Sequence, residues 1–202
     1  MKAPFISLDG IDGVGKSTQC RLLAEALVRG GWDVVQCVDP GGTQVGQELR
    51  EILLGSKDNI AMPCEALLFM ASRAQLVAEV IRPALAAGKA VVSDRYLLAN
   101  VVYQGHAGGL DVDALWRIGE FATGGLEPDM TFILDLPLEI ASKRRKGRDR
   151  LETRGDDYFA RVRQGFLHEA ARLPQRVRVI DATGRVEEIH GEMMRSIAPF
   201  LK

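Results

Sequence analysis

A glycine-rich segment near the start of the chain has the residue types and spacing of a phosphate-binding loop. Residues 10–18 read GIDGVGKST and fit the pattern G-x-x-x-x-G-K-[ST]. Glycines let the backbone curl so that successive N–H groups point at one anion, while the Lys16 ammonium and the Ser17 hydroxyl suit terminal phosphates and Mg²⁺. A chance glycine turn is disfavoured, because the segment joins a predicted strand to a predicted helix. We expect ATP to be held by Gly10, Ile11, Asp12, Gly13, Val14, Gly15, Lys16, Ser17 and Thr18.

A second group of residues suits a flat, polar heterocycle. Phe69 and Arg73 lie four residues apart in a predicted helix and therefore share one face. An aromatic ring can stack on such a ligand while a guanidinium hydrogen-bonds to it. The alternatives are core packing for Phe69, and a solvated face or an ion pair with Glu65 for Arg73. The two residues together favour a binding role.

Asp94 directly follows a predicted buried strand, and we expect it to lie beside Ser17. Its expected role there is to bind Mg²⁺, directly or through water, because that ion prefers oxygen ligands. The alternative is that Asp94 only pairs with Arg95 or Lys16. The three histidines are widely separated in the sequence, so they predict no metal-ligand cluster.

A basic stretch at residues 143–154, KRRKGRDRLETR, holds seven basic residues and two acidic ones. A solvated helix end is the simple interpretation of such a run. Gly147, however, interrupts it between two predicted helical segments, as a mobile lid over phosphates would require. We predict a lid in which Arg145, Arg148 and Arg150 are candidates to close over ATP, at least one of them as an arginine finger in cis.

Strand-like and helical segments alternate along the chain, and this order must position the residues above. Short apolar segments predict five strands, at residues 4–9, 33–39, 90–93, 130–136 and 177–181. Helical patterns lie at residues 16–29, 44–54, 64–87 with a kink at Pro83, and 186–201. This order predicts an α/β fold of the P-loop NTPase type, with three layers: a five-stranded parallel sheet and helices on both faces. Ligands of such sheets lie beyond the carboxyl ends of the strands.

The composition excludes several classes of protein. The 202 residues carry a formal net charge of −1, with 47% hydrophobic and 26% charged residues, which is unlike a basic nucleic-acid coat protein. We expect a single domain over residues 1–202, no nucleic-acid partner and no membrane-spanning helix. The first residues do not resemble a signal peptide, and three widely spaced cysteines indicate free thiols, so we expect a cytoplasmic location.

The sequence resembles the bacterial type of the thymidylate kinase family over nearly its whole length. Besides the loop, the matching strings are PGGT at 40–43 with LR at 49–50, LF at 68–69 with RAQ at 73–75, DRY at 94–96, YQG at 103–105, DRLE at 149–152 and IDA at 180–182. The resemblance implies transfer of the ATP γ-phosphoryl group to thymidine 5′-monophosphate (dTMP) by a homodimer. There are departures: Val38 and Asp39 stand where the family commonly has Arg-Glu, and Ala99 and Asn100 stand where many members have a serine or threonine pair.

The resemblance also implies roles for residues on the acceptor side. Phe69 would stack on thymine, and Arg73 would bond to its carbonyl edge. Asn100 and Gln104 would read the base, while Tyr103 would pack beside the deoxyribose, where a 2′-hydroxyl would be crowded. The apolar faces around Leu67, Leu76 and Trp116 could belong to the core or to the dimer interface.

Around the phosphates, the resemblance implies that Arg50 and Arg95 hold the acceptor phosphate. Asp12 would contact the sugar 3′-hydroxyl or the water shell of the metal, and Asp181 would lie near adenine. A phosphate monoester is largely dianionic at neutral pH, since its second pKa is about 6. No strong general base is therefore required, and catalysis must come from positive charge. Lys16, Arg95 and the lid arginines are the candidate catalytic residues that supply it, and Asp12 is a further candidate through its contact with the sugar or the metal's water shell.

Two other functions remain open from the sequence. One is a kinase for a different nucleoside monophosphate, which the set Phe69, Arg73, Asn100 and Gln104 disfavours. The other is a nucleotide-binding regulatory protein with a degenerate site, which the intact Lys16 argues against. A GTP-driven switch is disfavoured because the guanine-reading string N-K-x-D does not occur.

Overall fold

A parallel β-sheet forms the centre of the computed structural model, which describes residues 2–144 and 150–201. The strands are β1 (Phe5–Asp9), β2 (Val34–Val38), β3 (Ala90–Asp94), β4 (Met130–Asp135) and β5 (Val177–Asp181). They lie in the order β2-β3-β1-β4-β5, and every neighbouring pair is parallel. The predicted strands are confirmed, with each end displaced by one residue at most.

Helices connect the strands, and some of them begin at a side-chain cap. They are α1 (Lys16–Arg29), α2 (Gln44–Gly55), α3 (Met62–Leu76), α4 (Arg82–Ala86), α5 (Leu97–Asn100), α6 (Val112–Thr123), α7 (Leu138–Arg144), α8 (Asp156–Arg172) and α9 (Val186–Ile197). The Thr43 hydroxyl accepts from the Gly46 N–H at 2.9 Å before α2, and the Asp111 carboxylate accepts from the Ala114 N–H at 2.8 Å before α6. A π-helical turn, Val101–His106, continues α5, and 3₁₀ turns lie at Glu152–Arg154 and Ala198–Leu201.

Alternate side chains of the central strands face two different layers of helices. Ile6 and Leu8 of β1 belong to the same buried apolar cluster as Leu23 of α1. Phe5 belongs instead to a cluster with Met70 of α3. Because successive side chains of a strand point to opposite faces, the sheet is covered on both sides. The predicted three-layer α/β fold is confirmed.

The helix predicted over residues 64–87 is interrupted before Pro83 rather than simply kinked there. α3 ends at Leu76, a π turn covers Val77–Ile81, and α4 begins at Arg82. Proline has no N–H, and its ring crowds the carbonyl four residues earlier, so regular helix geometry is unfavourable in the turn ahead of it.

The sequence does not decide whether Leu67 and Leu76 belong to the core or to an interface, and the structure shows that they differ in exposure. Leu76 is fully buried in the cluster of α3, whereas Leu67 is 54% exposed. Within residues 2–144 and 150–201, no helix has the length and apolar character needed to cross a bilayer.

Candidate active site

The carboxyl ends of β1, β2 and β3 open into a cleft of about 630 Å³, which lies within the size range of small-molecule sites. Most of the predicted binding residues line it: Asp12, Gly13, Gly15, Lys16, Ser17, Thr18, Arg50, Phe69, Arg73, Asp94, Arg95, Asn100, Tyr103 and Gln104. They meet there because parallel strands all end at one edge of the sheet. The cleft thus joins the phosphate-binding loop to the residues predicted to hold a heterocycle.

The loop after β1 curls because its glycines take backbone angles that other residues rarely adopt. The φ angles are 133°, 87° and 98° at Gly10, Gly13 and Gly15. A Cβ on Gly13 would lie 2.5 Å from the carbonyl oxygen of Ala141 in α7. The side chains of Ile11 and Val14 belong to the buried core, so these two residues can offer a ligand only their backbone.

The Lys16 ammonium lies buried against the loop. Its Nζ donates to the carbonyl oxygens of Gly10 at 3.1 Å and Ile11 at 2.9 Å, and it lies 3.4 Å from Asp12 Oδ1. Burial lowers the pKa of Lys16, and the nearby Arg95 cation lowers it further. A cation with so little water around it interacts strongly with a phosphate that enters the loop.

Arg95 ties the segment after β3 to the loop after β1. It donates to the Gly10 carbonyl at 3.0 Å, to Asp12 Oδ1 at 2.7 Å and to the Tyr103 hydroxyl at 3.2 Å. Burial works against ionisation of Asp12, but Arg95 and Lys16 outweigh it and hold the pKa of this carboxyl well below its usual range. Arg95 has a φ of 70°, a left-handed conformation that residues with side chains seldom adopt.

Two carboxyl groups lie at the ends of the neighbouring strands β1 and β3. The Ser17 hydroxyl donates to Asp94 Oδ2 at 2.8 Å, so these two residues lie side by side. Asp9 is fully buried, and neither of its carboxyl oxygens has a hydrogen-bond partner among residues 2–144 and 150–201. Burial raises the pKa of Asp9 to about 7, although Arg95 and Lys16 act in the opposite direction.

Arg73 donates hydrogen bonds to two polar side chains inside the cleft wall. Its Nε donates to Asp39 Oδ2 at 2.6 Å, and its Nη1 donates to Asn100 Oδ1 at 3.0 Å. Glu65, the ion-pair partner considered from the sequence, is not the residue that binds it; Asp39 takes that place. Asp39 directly follows β2, so its bond with Arg73 brings the end of that strand next to α3. Phe69 lies on α3 as well, and it also lines the cleft.

A row of buried polar side chains continues from Arg73 along the cleft wall and ends at Glu65, which lies behind that wall. Asn100 Nδ2 donates to Gln104 Oε1 at 2.8 Å, and Gln104 Nε2 donates to Glu65 Oε1 at 2.8 Å. The other oxygen of Glu65 accepts from Arg150 and Arg154. Glu65 is completely buried, so these two guanidiniums supply the charge compensation that a buried carboxylate needs.

The lid prediction falls partly outside the described residues. Arg145 and Arg148 lie there, so their placement stays a prediction. Arg150 donates through Nε to the Leu53 carbonyl at 3.0 Å and through Nη2 to Glu65, and it does not line the cleft. Arg144, at the end of α7, does line it.

Two further predicted residues differ in their placement. Arg50 lines the cleft and donates through Nη1 to the Pro40 carbonyl at 2.8 Å. Asp181 ends β5, outside the lining of this cleft, and its carboxylate accepts from the Thr183 N–H at 2.9 Å. That hydrogen bond lowers the pKa of Asp181.

Three buried acidic residues of this region had no site role predicted from the sequence. Asp9 ends β1 and Asp39 directly follows β2, which was the available signal, because strand ends form the ligand edge of the sheet. Glu65 lies four residues before Phe69 and eight before Arg73 in one helix, so the helical period already places it on their face.

The prediction that the histidines form no cluster is wrong for two of them. His106 Nε2 lies 2.8 Å from Glu169 Oε1, and His168 brings a third ligand-type atom within 4.8 Å of both. They meet because the π turn after α5 packs against α8. The Arg172 guanidinium, 3.4 Å from the same Glu169 oxygen, already compensates the carboxylate, and we assign no metal to this group.

The parallel sheet, the glycine loop after β1 and the adjoining cleft define a P-loop NTPase-type nucleotide-binding protein. A family model described as "Thymidylate kinase" matches residues 8–193. The chain belongs to the thymidylate kinase family.

Similar proteins extend this match. A thymidylate kinase of Rhodopirellula baltica is 51% identical over 186 residues, which cover 92% of this chain and 76% of that protein. One of Kosmotoga olearia is 46% identical, with 98% and 97% covered. A crystal structure of thymidylate kinase from Ehrlichia chaffeensis superimposes with a TM-score of 0.81 at 30% identity, over 98% of this chain and 99% of that one.

Proposed function

We propose that the cleft holds two nucleotides with their phosphates facing each other, so that the γ-phosphoryl group of ATP passes to dTMP and leaves ADP and dTDP. The chain is an enzyme of the thymidylate kinase family, and dTMP is its acceptor. The observation that carries the proposal is the continuity of the cleft. It runs from Lys16 in the phosphate-binding loop to Phe69, Arg73 and Asn100 at the other end.

The donor side rests on the loop and its lysine. When ATP enters, Lys16 exchanges the carbonyl oxygens of Gly10 and Ile11 for phosphate oxygens, which carry full charge and bind it more strongly. Backbone N–H groups of the curled loop and the first turn of α1 bind the same phosphates. We further propose, from the family resemblance, that Asp181 lies near adenine.

Mg²⁺ fits the oxygens that meet between the first turn of α1 and the end of β3. The Ser17 hydroxyl and the Asp94 carboxylate are hard oxygen donors that lie 2.8 Å apart, and such a pair suits this ion together with phosphate oxygens and water. We propose that they hold it. When bound, the ion neutralises charge on the transferred phosphoryl group.

The acceptor phosphate needs cations rather than a base. We propose that Arg95 and Arg50 hold it, because both guanidiniums line the cleft. Asp12, which stays ionised beside Arg95, contacts the sugar 3′-hydroxyl or the water shell of the metal. The dianionic phosphate is itself the nucleophile, which agrees with the absence of histidine among the described residues that line this cleft.

The base end combines stacking with hydrogen bonds. We propose that thymine stacks on Phe69, that Arg73 bonds to its carbonyl edge, and that Asn100 and Gln104 read the rest of that edge. Tyr103, buried beside Arg95, packs against the deoxyribose. We propose that arginines of the segment 143–154 complete the cation set as a lid, with one of Arg145, Arg148 and Arg150 as the finger. Arg150 would have to exchange its contact with Glu65 for phosphate to act in this way.

We also propose a homodimer and a cytoplasmic location. Phe121 of α6 is 89% exposed and Leu67 of α3 is 54% exposed, and these two helices pack against each other. A second copy of the chain is the occupant that family resemblance indicates for these apolar residues. Cys20, Cys37 and Cys64 are free thiols, as is typical of a reducing compartment.

A coupled assay of ADP release tests the activity. The enzyme receives ATP, Mg²⁺ and one of dTMP, dUMP, dCMP, dAMP or dGMP, and kcat/KM is compared among the five acceptors. We expect the value for dTMP to exceed those of the purine nucleotides and dCMP by a factor of about 10² or more, because the site would leave its buried polar groups unpaired with them. A preference for another monophosphate would overturn the proposal.

A further inference from the structure

The row of hydrogen bonds from Arg73 to Glu65 has a fixed direction. An arginine can only donate hydrogen bonds, and an ionised carboxylate can only accept them. The two amides between them, Asn100 and Gln104, each carry one acceptor and one donor end and could in isolation point either way. Their orientation is therefore decided by the two groups at the ends of the row.

The distances show the result. Asn100 turns its oxygen to Arg73, at 3.0 Å, and its nitrogen to Gln104, at 2.8 Å. Gln104 turns its nitrogen to Glu65, at 2.8 Å. All four side chains are buried, so no bulk water competes to reverse an amide.

This direction matters for the cleft, because Arg73, Asn100 and Gln104 line it while Glu65 does not. The cleft is offered a donor at the Arg73 guanidinium beside an acceptor at Asn100 Oδ1. Thymine presents the complementary pair, an O4 acceptor beside an N3–H donor. Cytosine presents the reverse, an N4 amino donor beside an N3 acceptor, and would meet two mismatches.

We propose that Glu65 is a positioning residue that selects thymine over cytosine by fixing the direction of the Asn100 and Gln104 amides. The inference rests on the proposed function, since it concerns the base of the same acceptor. Arg150 and Arg154 contact Oε2 of the buried Glu65, which leaves Oε1 as the acceptor for Gln104. The selectivity therefore depends on a residue that never touches the nucleotide.

Glu65→Gln is the decisive variant, because it preserves shape while replacing the acceptor-only group with an amide that can point either way. We expect the ratio of kcat/KM for dTMP to that for dCMP to fall at least about tenfold. Calorimetric binding of each nucleotide in the absence of ATP should show the same loss of preference. An unchanged ratio in the folded variant would overturn the inference.

Two controls separate direction from packing and charge. Glu79→Gln makes the same chemical change at an exposed position just beyond α3 and should leave the ratio unaltered. Arg154→Gln removes one cation from Glu65 but leaves Gln104 its acceptor, so the ratio should again hold. A loss in Arg154→Gln as large as that in Glu65→Gln would assign selectivity to the ion-pair cluster and overturn the inference.

A measurement on the wild-type protein covers the case in which Glu65→Gln does not fold. In ¹⁵N-labelled enzyme, one side-chain amide proton of Asn100 and one of Gln104 should exchange slowly with solvent. Exchange as fast as in exposed glutamines would refute the fixed row. The proposed function is tested separately, because it fails if the wild-type enzyme prefers another monophosphate, whatever Glu65→Gln shows.

Discussion

Single residues of the cleft already hold their charges in place before any nucleotide binds. Lys16, Arg95 and Arg73 are each held by oxygens of the protein at 3.1 Å or less. The energetic cost of drawing these cations out of water is therefore met during folding. Under the proposed function, binding then exchanges protein oxygens around Lys16 and Arg95 for phosphate oxygens, which requires little reorganisation.

Lys16→Met tests the donor half at this scale. The side chain keeps much of its length but loses the ammonium that we propose to bridge the terminal phosphates. We expect kcat to fall by about 10³-fold, while the affinity for dTMP, measured by calorimetry, changes by less than about twofold, since the acceptor binds elsewhere in the cleft.

Lys57→Met provides the matched control, because Lys57 is exposed in the loop between α2 and α3. It should retain wild-type kcat. A Lys16→Met enzyme with near wild-type turnover would show that the loop lysine does not act on the transferred phosphoryl group.

At the scale of elements, the phosphate-binding loop depends on the close approach of α7. Gly13 combines a φ of 87° with a position where a Cβ would meet the Ala141 carbonyl at 2.5 Å. Backbone atoms at that distance cannot yield as a flexible side chain would. The loop and the helix that leads into the basic segment are thus fitted to each other at one glycine.

Gly13→Ala should therefore displace either the loop or α7. We expect a loss of at least about 2 kcal/mol in the free energy of unfolding and a fall in kcat/KM for ATP of at least about tenfold. The measurements are urea denaturation and the coupled assay.

Gly31→Ala is the control for Gly13→Ala, because it measures the destabilisation that comes from the left-handed backbone without a steric clash. Gly31 has a φ of 90°, but a Cβ there would have no neighbour within 4 Å. We expect about 1–2 kcal/mol of destabilisation from the left-handed backbone alone and unchanged kinetics. Equal kinetic effects in the two variants would contradict the proposed contact between loop and helix.

For the whole molecule, the exposed apolar residues of α3 and α6 raise the question of assembly. Phe121→Glu should abolish the proposed dimer, because a charge would then have to be buried in an apolar interface. We expect sedimentation of the wild-type protein at about twice the 22.1 kDa of the chain and of the variant near the monomer mass.

Val28→Glu is a suitable control, since Val28 is another exposed apolar residue, on α1. It should leave the sedimentation unchanged. A monomeric wild-type protein at micromolar concentration would refute the dimer, as would a Phe121→Glu variant that still sediments as a dimer.

The order of the elements could be predicted from the sequence because it depends on local patterns. The glycine loop is a run of consecutive residues, so its spacing alone indicates a phosphate site. Buried parallel strands such as β3 and β4 are short, largely apolar segments, and their length and the glycine or polar residues that bound them distinguish them from helices such as α1. Pro83 predicted a kink in the helix over residues 64–87, but the form that the interruption takes, a π turn, depends on how α3 and α4 pack.

The partners of the charged residues could not be predicted in this way. Arg73 pairs with Asp39, 34 residues away, rather than with Glu65 on its own helix, and Glu65 pairs with Arg150, 85 residues away. Local sequence fixed the chemistry of each side chain and the face on which it lies. Only the packing of β2, α3 and the turn after α5 decided which donor meets which acceptor, because an ion pair depends on distances of a few ångströms between segments remote in the chain.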